Sequence, residues 1–397
     1  MRDFTNANSL MSAYERVRKT SGWKESTQRY GLNLLRETYW LQKALRERNY
    51  AQHECNTFKL CERGHLRLVK ALVTRDMVMQ HSLCDTVLVP ELLKYIIHDN
   101  GASIKGKGIS FTRRRFEQHL RWHYRRYSTE GYILKIDFRK YFDNIQHGIL
   151  KKLIAEKIHN EDVQYVLNEI FKANEVDVSY TDDTDILQKV FSSLEQEKID
   201  TALLTGKRFM PKSLGIGSPV SQIAGIFFPY KIDNFCKTVK GIHCYDAYMD
   251  DRIVIHKSKE FLWNLLEEIK VLAEKQGITI HQDKTQIIKL SHGFTFLKTK
   301  YILTETGKIV KKIPRDVVTV ERRKLKKLAT LVVSGAMSRE KFITQYKSWK
   351  GDKQRYYNAY HTLKNMDKIF RRLLKWITQQ EKLLDASSRK SSTSSES

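Results

Sequence analysis

The chain has 397 residues, 41% of them hydrophobic, and its 71 Lys and Arg against 45 Asp and Glu give a formal charge of +26 and an isoelectric point near 9.7. That length exceeds one minimal core and suits two or three packed subdomains, while the positive excess goes beyond what solubility needs and implies a polyanionic partner, nucleic acid ahead of membrane. No apolar run approaches the roughly 18 to 20 residues of a membrane span, the first ten residues hold no apolar signal core, and Cys55, Cys61, Cys84, Cys236 and Cys244 form no CxxC pair. A cytoplasmic protein with reduced, packed cysteines is therefore expected, with neither a zinc site nor a disulfide frame.

Residues 12–48 carry helical periodicity, with Leu32, Leu34, Leu35, Trp40, Leu41 and Leu45 as apolar positions among many Arg and Lys. Strand-like pieces fill 55–73, and 74–95 reads as a helix with Thr74 as its N-cap. A glycine-rich basic loop, 100–108, leads into a helix over 111–127 that bears Arg113, Arg114, Arg115, Arg121, Arg125 and Arg126. Residues 132–138 alternate as a buried strand ending on Asp137, and a helix follows to about 158. Residues 173–207, with Asp182, Asp183 and Asp185, look like a polar, acid-rich surface insertion. A Gly-rich turn and helix cover 215–238, a helix 261–276, a strand with a basic turn 277–290, and another strand 294–302. Residues 298–384 hold 23 Lys and Arg against 7 Asp and Glu and are mainly helical, and the tail from Ala386 has almost no apolar residue and should be disordered.

Chemistry concentrates at Tyr248-Met249-Asp250-Asp251, two adjacent acids at a turn between segments that can pair as strands. Two-metal nucleotidyl transfer needs carboxylates from separate segments to hold cations roughly 3.5 to 4 Å apart. A strand-end Asp137 and a hairpin Asp250-Asp251 meet that need if the strands pack antiparallel. Asp-Asp is also a common turn dipeptide. Between the acids lies Leu214-Gly215-Ile216-Gly217-Ser218-Pro219-Val220-Ser221-Gln222. Gly217 lets backbone approach a base pair, and Ser221 and Gln222 at a helix start can hydrogen-bond a template nucleotide, although an ordinary Gly-Pro turn with a Ser cap has the same sequence. Lys284 is placed either to protonate departing pyrophosphate or as a surface turn lysine.

In order, these pieces resemble the palm of reverse transcriptases over about residues 30–365. The blocks are Ile136-Asp137-Phe138-Arg139-Lys140-Tyr141-Phe142-Asp143-Asn144-Ile145, then 216–222, then Tyr248-Met249-Asp250-Asp251, then Gly277 with Lys284-Thr285, then Gly293-Phe294-Thr295-Phe296-Leu297. The resemblance implies an α+β right-hand polymerase fold: a helical extension over 1–50, fingers over 51–130, a palm of antiparallel sheet and packed helices over 131–300, a basic helical thumb over 301–385 and the tail 386–397. It implies Asp137, Asp250 and Asp251 as ligands of two Mg²⁺ ions, with Mn²⁺ as an alternative, and Phe142 as the aromatic gate against a ribose 2′-hydroxyl. Tyr248, Met249 and Ser221 would meet template and primer, as would Phe296 and Leu297 at the primer-gripping turn. Segments 67–72 and 75–84 look like the fingers motifs of bacterial members, which gives triphosphate binding to Arg67 with Lys105 or Lys107, beside Gly217, Gln222 and Lys284.

Group II intron and retron enzymes carry Gln before the glycine and Pro after the serine of the second block, where this chain has Ile216 and Gln222. That pattern, with Ser348-Trp349-Lys350-Gly351, is similar to diversity-generating retroelement enzymes, and similar sequences occur among phage-defence reverse transcriptases. The 79 residues between Asp137 and Gly217 depart from the compact retroelement enzymes. No HNH or zinc pattern follows. The implied activity is RNA-directed DNA synthesis from dNTPs on an RNA template, a structured noncoding RNA, in phage defence, with an accessory protein or a second copy as further partner. The alternatives are mutagenic synthesis in diversity generation, template-independent or protein-primed synthesis on the same palm, and an RNA-binding scaffold with a relic palm.

Overall fold

The computed structural model describes residues 3–62, 65–177 and 209–393, with no side chains described at 59, 61–68, 209 and from 384 on. The insertion expected over 173–207, including Asp182, Asp183 and Asp185, thus lies mostly outside the described residues. The chain forms two compact units, one of Met1–His123 with Gly131–Ile287, the other of Tyr124–Glu130 with Ile288–Ser397.

The first unit opens with helices Ala7–Ser21, Glu25–Leu32 and Leu34–Arg46. Leu41 and Leu45 are buried, but Leu32, Leu35 and Trp40 remain exposed, so only one stripe of the expected apolar positions faces the core. Strands β1 (Asn56–Glu62) and β2 (His65–Ala71) form a separate antiparallel hairpin. The helical run that follows starts at Thr74, but its cap is Val73, which makes no side-chain cap bond; Thr74 lies one residue too late to serve.

Strand β3 (Tyr132–Asp137) is followed by the short helix Tyr141–Asn144 and by helices His147–Ala155 and Glu161–Lys172. The two-residue strands β4 (Val176–Asp177) and β5 (Phe209–Met210) pair on either side of residues 178–208. Helix Pro219–Phe227 leads to the hairpin of β6 (Tyr245–Tyr248) and β7 (Asp251–His256), helix Lys259–Lys275 and strand β8 (Gln286–Lys289). The sheet order is β6-β7-β3-β8, which makes β7 and β3 central neighbours. Both are buried along their middles by residues such as Ile133, Leu134, Ile136, Ile253, Val254 and Ile255. The core that fixes them includes residues of the N-terminal helices, such as Leu10 and Leu41, and of the helices around the sheet, such as Leu167, Phe227 and Leu265.

In the second unit the single strand expected over 294–302 is two, β9 (Phe294–Phe296) and β10 (Thr299–Leu303), joined by Leu297 and Lys298, with β11 (Ile309–Lys312) on the other edge of β10. Both turn residues have positive φ, +45° and +62°. Neither is Gly, Asn or Asp, so the turn chemistry that marks such hairpins is missing from the sequence. Helices Arg315–Val333, Arg339–Lys353 and Ala359–Thr393 pack around Leu325, Phe342, Tyr346, Met366 and Phe370. The last helix continues through 386–393, where the sequence reading expects disorder: once a helix is nucleated upstream, adding residues costs little even without apolar side chains.

Candidate active site

Antiparallel pairing puts Asp137, the last residue of β3, opposite Asp251, the first of β7, and Tyr248 opposite Asp251 on the other side. Met249 and Asp250 are thus the two residues of a tight turn at the same end of the sheet as Asp137. Met249 adopts φ +53°, a conformation that disfavours residues with a Cβ. Arg252 holds it there. This fully buried guanidinium donates to the Met249 carbonyl and to Asp233 Oδ1 at 3.1 Å, and lies 4.5 Å from the ring centre of Phe138, the neighbour of Asp137. Asp233 Oδ1 also accepts from Tyr245 Oη at 2.6 Å. The pairing of Arg252 with Asp233, 19 residues apart in sequence, has no local signal that could have revealed it.

The acids are crowded and short of counter-charge. Burial, then the neighbouring Asp250 and Asp137, push Asp251 up to about 6, against the pull of Lys135 at 3.7 Å. Burial likewise raises Asp250, helped by Asp137. Lys284 stands 3.6 Å from Asp137 on a side chain 60% exposed. Its segment is stitched to β3 by His281 N–H donating to Asp137 O (2.8 Å) and Arg139 N–H to Thr279 O (2.8 Å). Asp250 and Asp251, whose charged forms are held back by burial and by the carboxylates beside them, together with Asp137 fit a divalent-cation site, because bound cations would supply the missing charge.

Gly217 has φ +115°, which requires glycine, and Lys70 N–H donates to Ile216 O (3.3 Å), tying the turn to β2. The helix cap is Ser218, whose hydroxyl accepts from Ser221 N–H (3.1 Å) and donates to buried Gln80 (2.5 Å). Ser221 itself is 1% exposed, so the expectation that it meets a template nucleotide fails: Pro219 at the first helical position sets the helical phase and turns Ser221 into the core. Gln222, one residue on, is exposed.

Phe142 is half-buried beside the helix Pro219–Phe227. Lys107 is committed to backbone, donating to His98 O (2.7 Å) and Asn100 O (3.3 Å), so its ammonium serves the loop rather than a triphosphate. Lys105 in the same loop is exposed. Arg67 sits in β2 opposite Leu60, and its side chain lies outside the described residues. In the second unit Phe296 is 1% exposed, so its ring is packed inside and cannot reach a primer; Leu297 holds the turn beyond it.

A separate buried cluster was not anticipated. Ligand atoms of Asp99, His119 and Asp246 lie within 4.8 Å of one another. His119 Nδ1 meets Asp246 at 2.7 Å, while Lys237 (2.6 Å) and Arg115 (2.7 Å) already occupy Asp99. Burial pushes Asp99 up, but the hydrogen bonds from Arg115 and Lys237 outweigh it and hold the carboxyl down to about 2. The cluster pins the 99–101 loop to β6, where Ala247 N–H donates to Asp99 O at 3.2 Å.

A family model described as reverse transcriptase (RNA-dependent DNA polymerase) matches residues 102–301, half of the chain. No curated protein matches the chain in sequence. Among solved structures it is similar to apo telomerase from Candida tropicalis truncated from its C-terminal domain, at 13% identity over 65% of this chain and 55% of that one, with a TM-score of 0.45. It is also similar to telomerase from Candida albicans in complex with a TWJ fragment of telomeric RNA, at 13% identity over 84% of this chain and 55% of that one, with a TM-score of 0.44. The chain therefore spans about half the length of those solved chains.

Proposed function

The chain belongs to the reverse transcriptase (RNA-dependent DNA polymerase) family, and on that premise we propose that it extends DNA on an RNA template by two-metal nucleotidyl transfer. Its mixed helical and antiparallel architecture is the right-hand polymerase fold. The observation that carries the activity is the register of Asp137 against Asp251 with Asp250 in the turn between β6 and β7.

Asp137, Asp250 and Asp251 would hold two Mg²⁺ ions, which when bound lower the pKa of the primer 3′-hydroxyl and neutralise the leaving pyrophosphate. Lys284, exposed beside Asp137, is placed to give a proton to that leaving group. Phe142 excludes the ribose 2′-hydroxyl, Gly217 and Gln222 line the nucleotide's approach, and Lys105 is the loop cation open to its phosphates. Tyr248 and Met249 support the primer end from the turn. Residues 51–130 act as fingers, 131–300 as palm and the basic helices after 301 as thumb.

The template is a structured noncoding RNA, gripped by shape and phosphate contacts, in phage defence; the Ile216 to Gln222 block supports diversity generation as the alternative role. What supports an RNA partner is charge: 23 Lys and Arg against 7 Asp and Glu over 298–384. Binding should weaken steeply with salt. In the described residues no helix is long and apolar enough to cross a membrane.

Asp250→Asn combined with Asp251→Asn is expected to abolish Mg²⁺-dependent dNTP incorporation on an RNA template with a DNA primer, while circular dichroism and RNA binding stay near wild type. Full incorporation by that double variant would refute the mechanism. Sequencing the nucleic acid that copurifies, with its extension products, identifies the template.

A further inference from the structure

Helix Pro219–Phe227 contains a glycine where its sequence gives no local reason for one. Gly225 is an interior position of an apolar helix, and a glycine there is less stable than alanine because it gives up more backbone freedom on folding. Its backbone does not demand glycine either, since Gly225 is absent from the positions with positive φ. What demands it is space. A Cβ on Gly225 would stand 2.8 Å from Phe142 Cζ and 3.3 and 3.4 Å from its two Cε atoms, so the tip of the Phe142 ring rests directly on the glycine backbone.

The rest of Phe142 is held. Its carbonyl accepts from Leu214 N–H at 2.9 Å, and the preceding residue, buried Tyr141, donates from its hydroxyl to the Gly225 carbonyl at 2.6 Å. The backbone of the short helix and the glycine are therefore fixed to each other, and the direction of the half-buried ring is the freedom that remains. The ring tip is backed by the helix, its edge meets Tyr141 with ring centres 5.7 Å apart, and the side chain as a whole is only half-buried.

We propose that Gly225 is a specificity-determining positioning residue: the shelf that lets the Phe142 ring lie back, and so sets how much room the sugar of an incoming nucleotide has. The inference rests on Phe142 being the sugar gate. Adding a methyl group at 225 pushes the half-buried ring away from the helix. The gate then closes further, against deoxyribose as well as ribose.

The test is single-nucleotide incorporation by the full chain on an RNA template with a DNA primer, comparing dTTP with UTP. Gly225→Ala is expected to raise the dTTP KM by about tenfold with a smaller change in kcat, the scale of one misplaced methylene in a shaped pocket. It should also raise the preference for dTTP over UTP. In a Phe142→Val background, where no ring tip reaches the shelf, Gly225→Ala should leave both KM values within about twofold and should not lower the melting temperature, since the helix gains a better helix former. An unchanged KM and sugar preference in Gly225→Ala alone overturns the inference, as does an equal KM change in both backgrounds. The gate reading fails by a different readout: if Phe142→Val by itself does not admit UTP, Phe142 is not the gate and the shelf has nothing to set.

Discussion

Two tight turns in this molecule face the same difficulty and solve it by different means. Met249, in the turn between β6 and β7, and Leu297 with Lys298, between β9 and β10, all hold positive φ without being glycine. At the first turn the strained carbonyl is gripped by a buried charge network, Arg252 with Asp233 and Tyr245. At the second, an aromatic layer does the holding: Phe296 is buried, Phe294 stacks on Tyr301 at 5.7 Å, and β10 is paired on both edges. A fully satisfied charge network is directional and rigidifies the groups it holds, whereas apolar packing tolerates volume-conserving change. The turn that carries Asp250 uses the directional device.

The two turns differ most at Arg252, which has no counterpart beside Leu297 and Lys298 among the contacts named above. Arg252→Met leaves Asp233 as an uncompensated buried charge, expected to cost about 3 to 5 kcal/mol, read as a lowered denaturation midpoint. Because the same side chain holds the Met249 carbonyl, incorporation should fall even where the variant is folded. Pairing Arg252→Met with Asp233→Leu separates the two effects: removing both charges restores most of the stability, while incorporation stays low. Recovery of activity together with stability would show that the network supports only the fold.

A smaller break tests the helix cap. Ser218→Ala removes the bond to Ser221 N–H and the partner of Gln80, and should cost about 1 to 2 kcal/mol in thermal unfolding. Ser221→Ala removes a buried hydroxyl that has no hydrogen-bond partner among the described residues, so it should be neutral or stabilising. The opposite ranking would show that Ser221, not Ser218, holds the start of this helix.

Legibility from sequence follows the same division. The alternation of 132–138 and the acids at strand ends were enough to bring Asp137, Asp250 and Asp251 to one end of the sheet, because a strand with a buried face fixes which residue ends it. The sequence reading put Ser221 and Gln222 at the helix start, although Pro219 marks the first helical position and makes Ser218 the cap. Three things were out of reach. The Arg252–Asp233 pair depends on which strand lies beside which helix. The break of 294–302 into two strands rests on a turn whose residues lack turn chemistry, and the commitment of Lys107 to the carbonyls of His98 and Asn100 depends on how a loop closes.

A residue with a Cβ pays about 1 to 2 kcal/mol for the left-handed region, and glycine removes that cost while adding backbone entropy to the unfolded chain. For Lys298→Gly the strain relief should be offset by whatever its side chain gives up, leaving a net change within about 1 kcal/mol, read as a melting temperature within a degree or two of wild type with incorporation unchanged. For Met249→Gly the strain relief is the same, but its side chain packs against the core of the first unit and that contact is lost, so stability should hardly move. Incorporation should nonetheless drop, because a glycine at 249 gives the turn freedom that Arg252 alone must then suppress, and Asp250 follows the turn. If Met249→Gly keeps full incorporation, the strain at the turn that carries Asp250 is incidental, and the two turns differ only in the chemistry that happens to surround them.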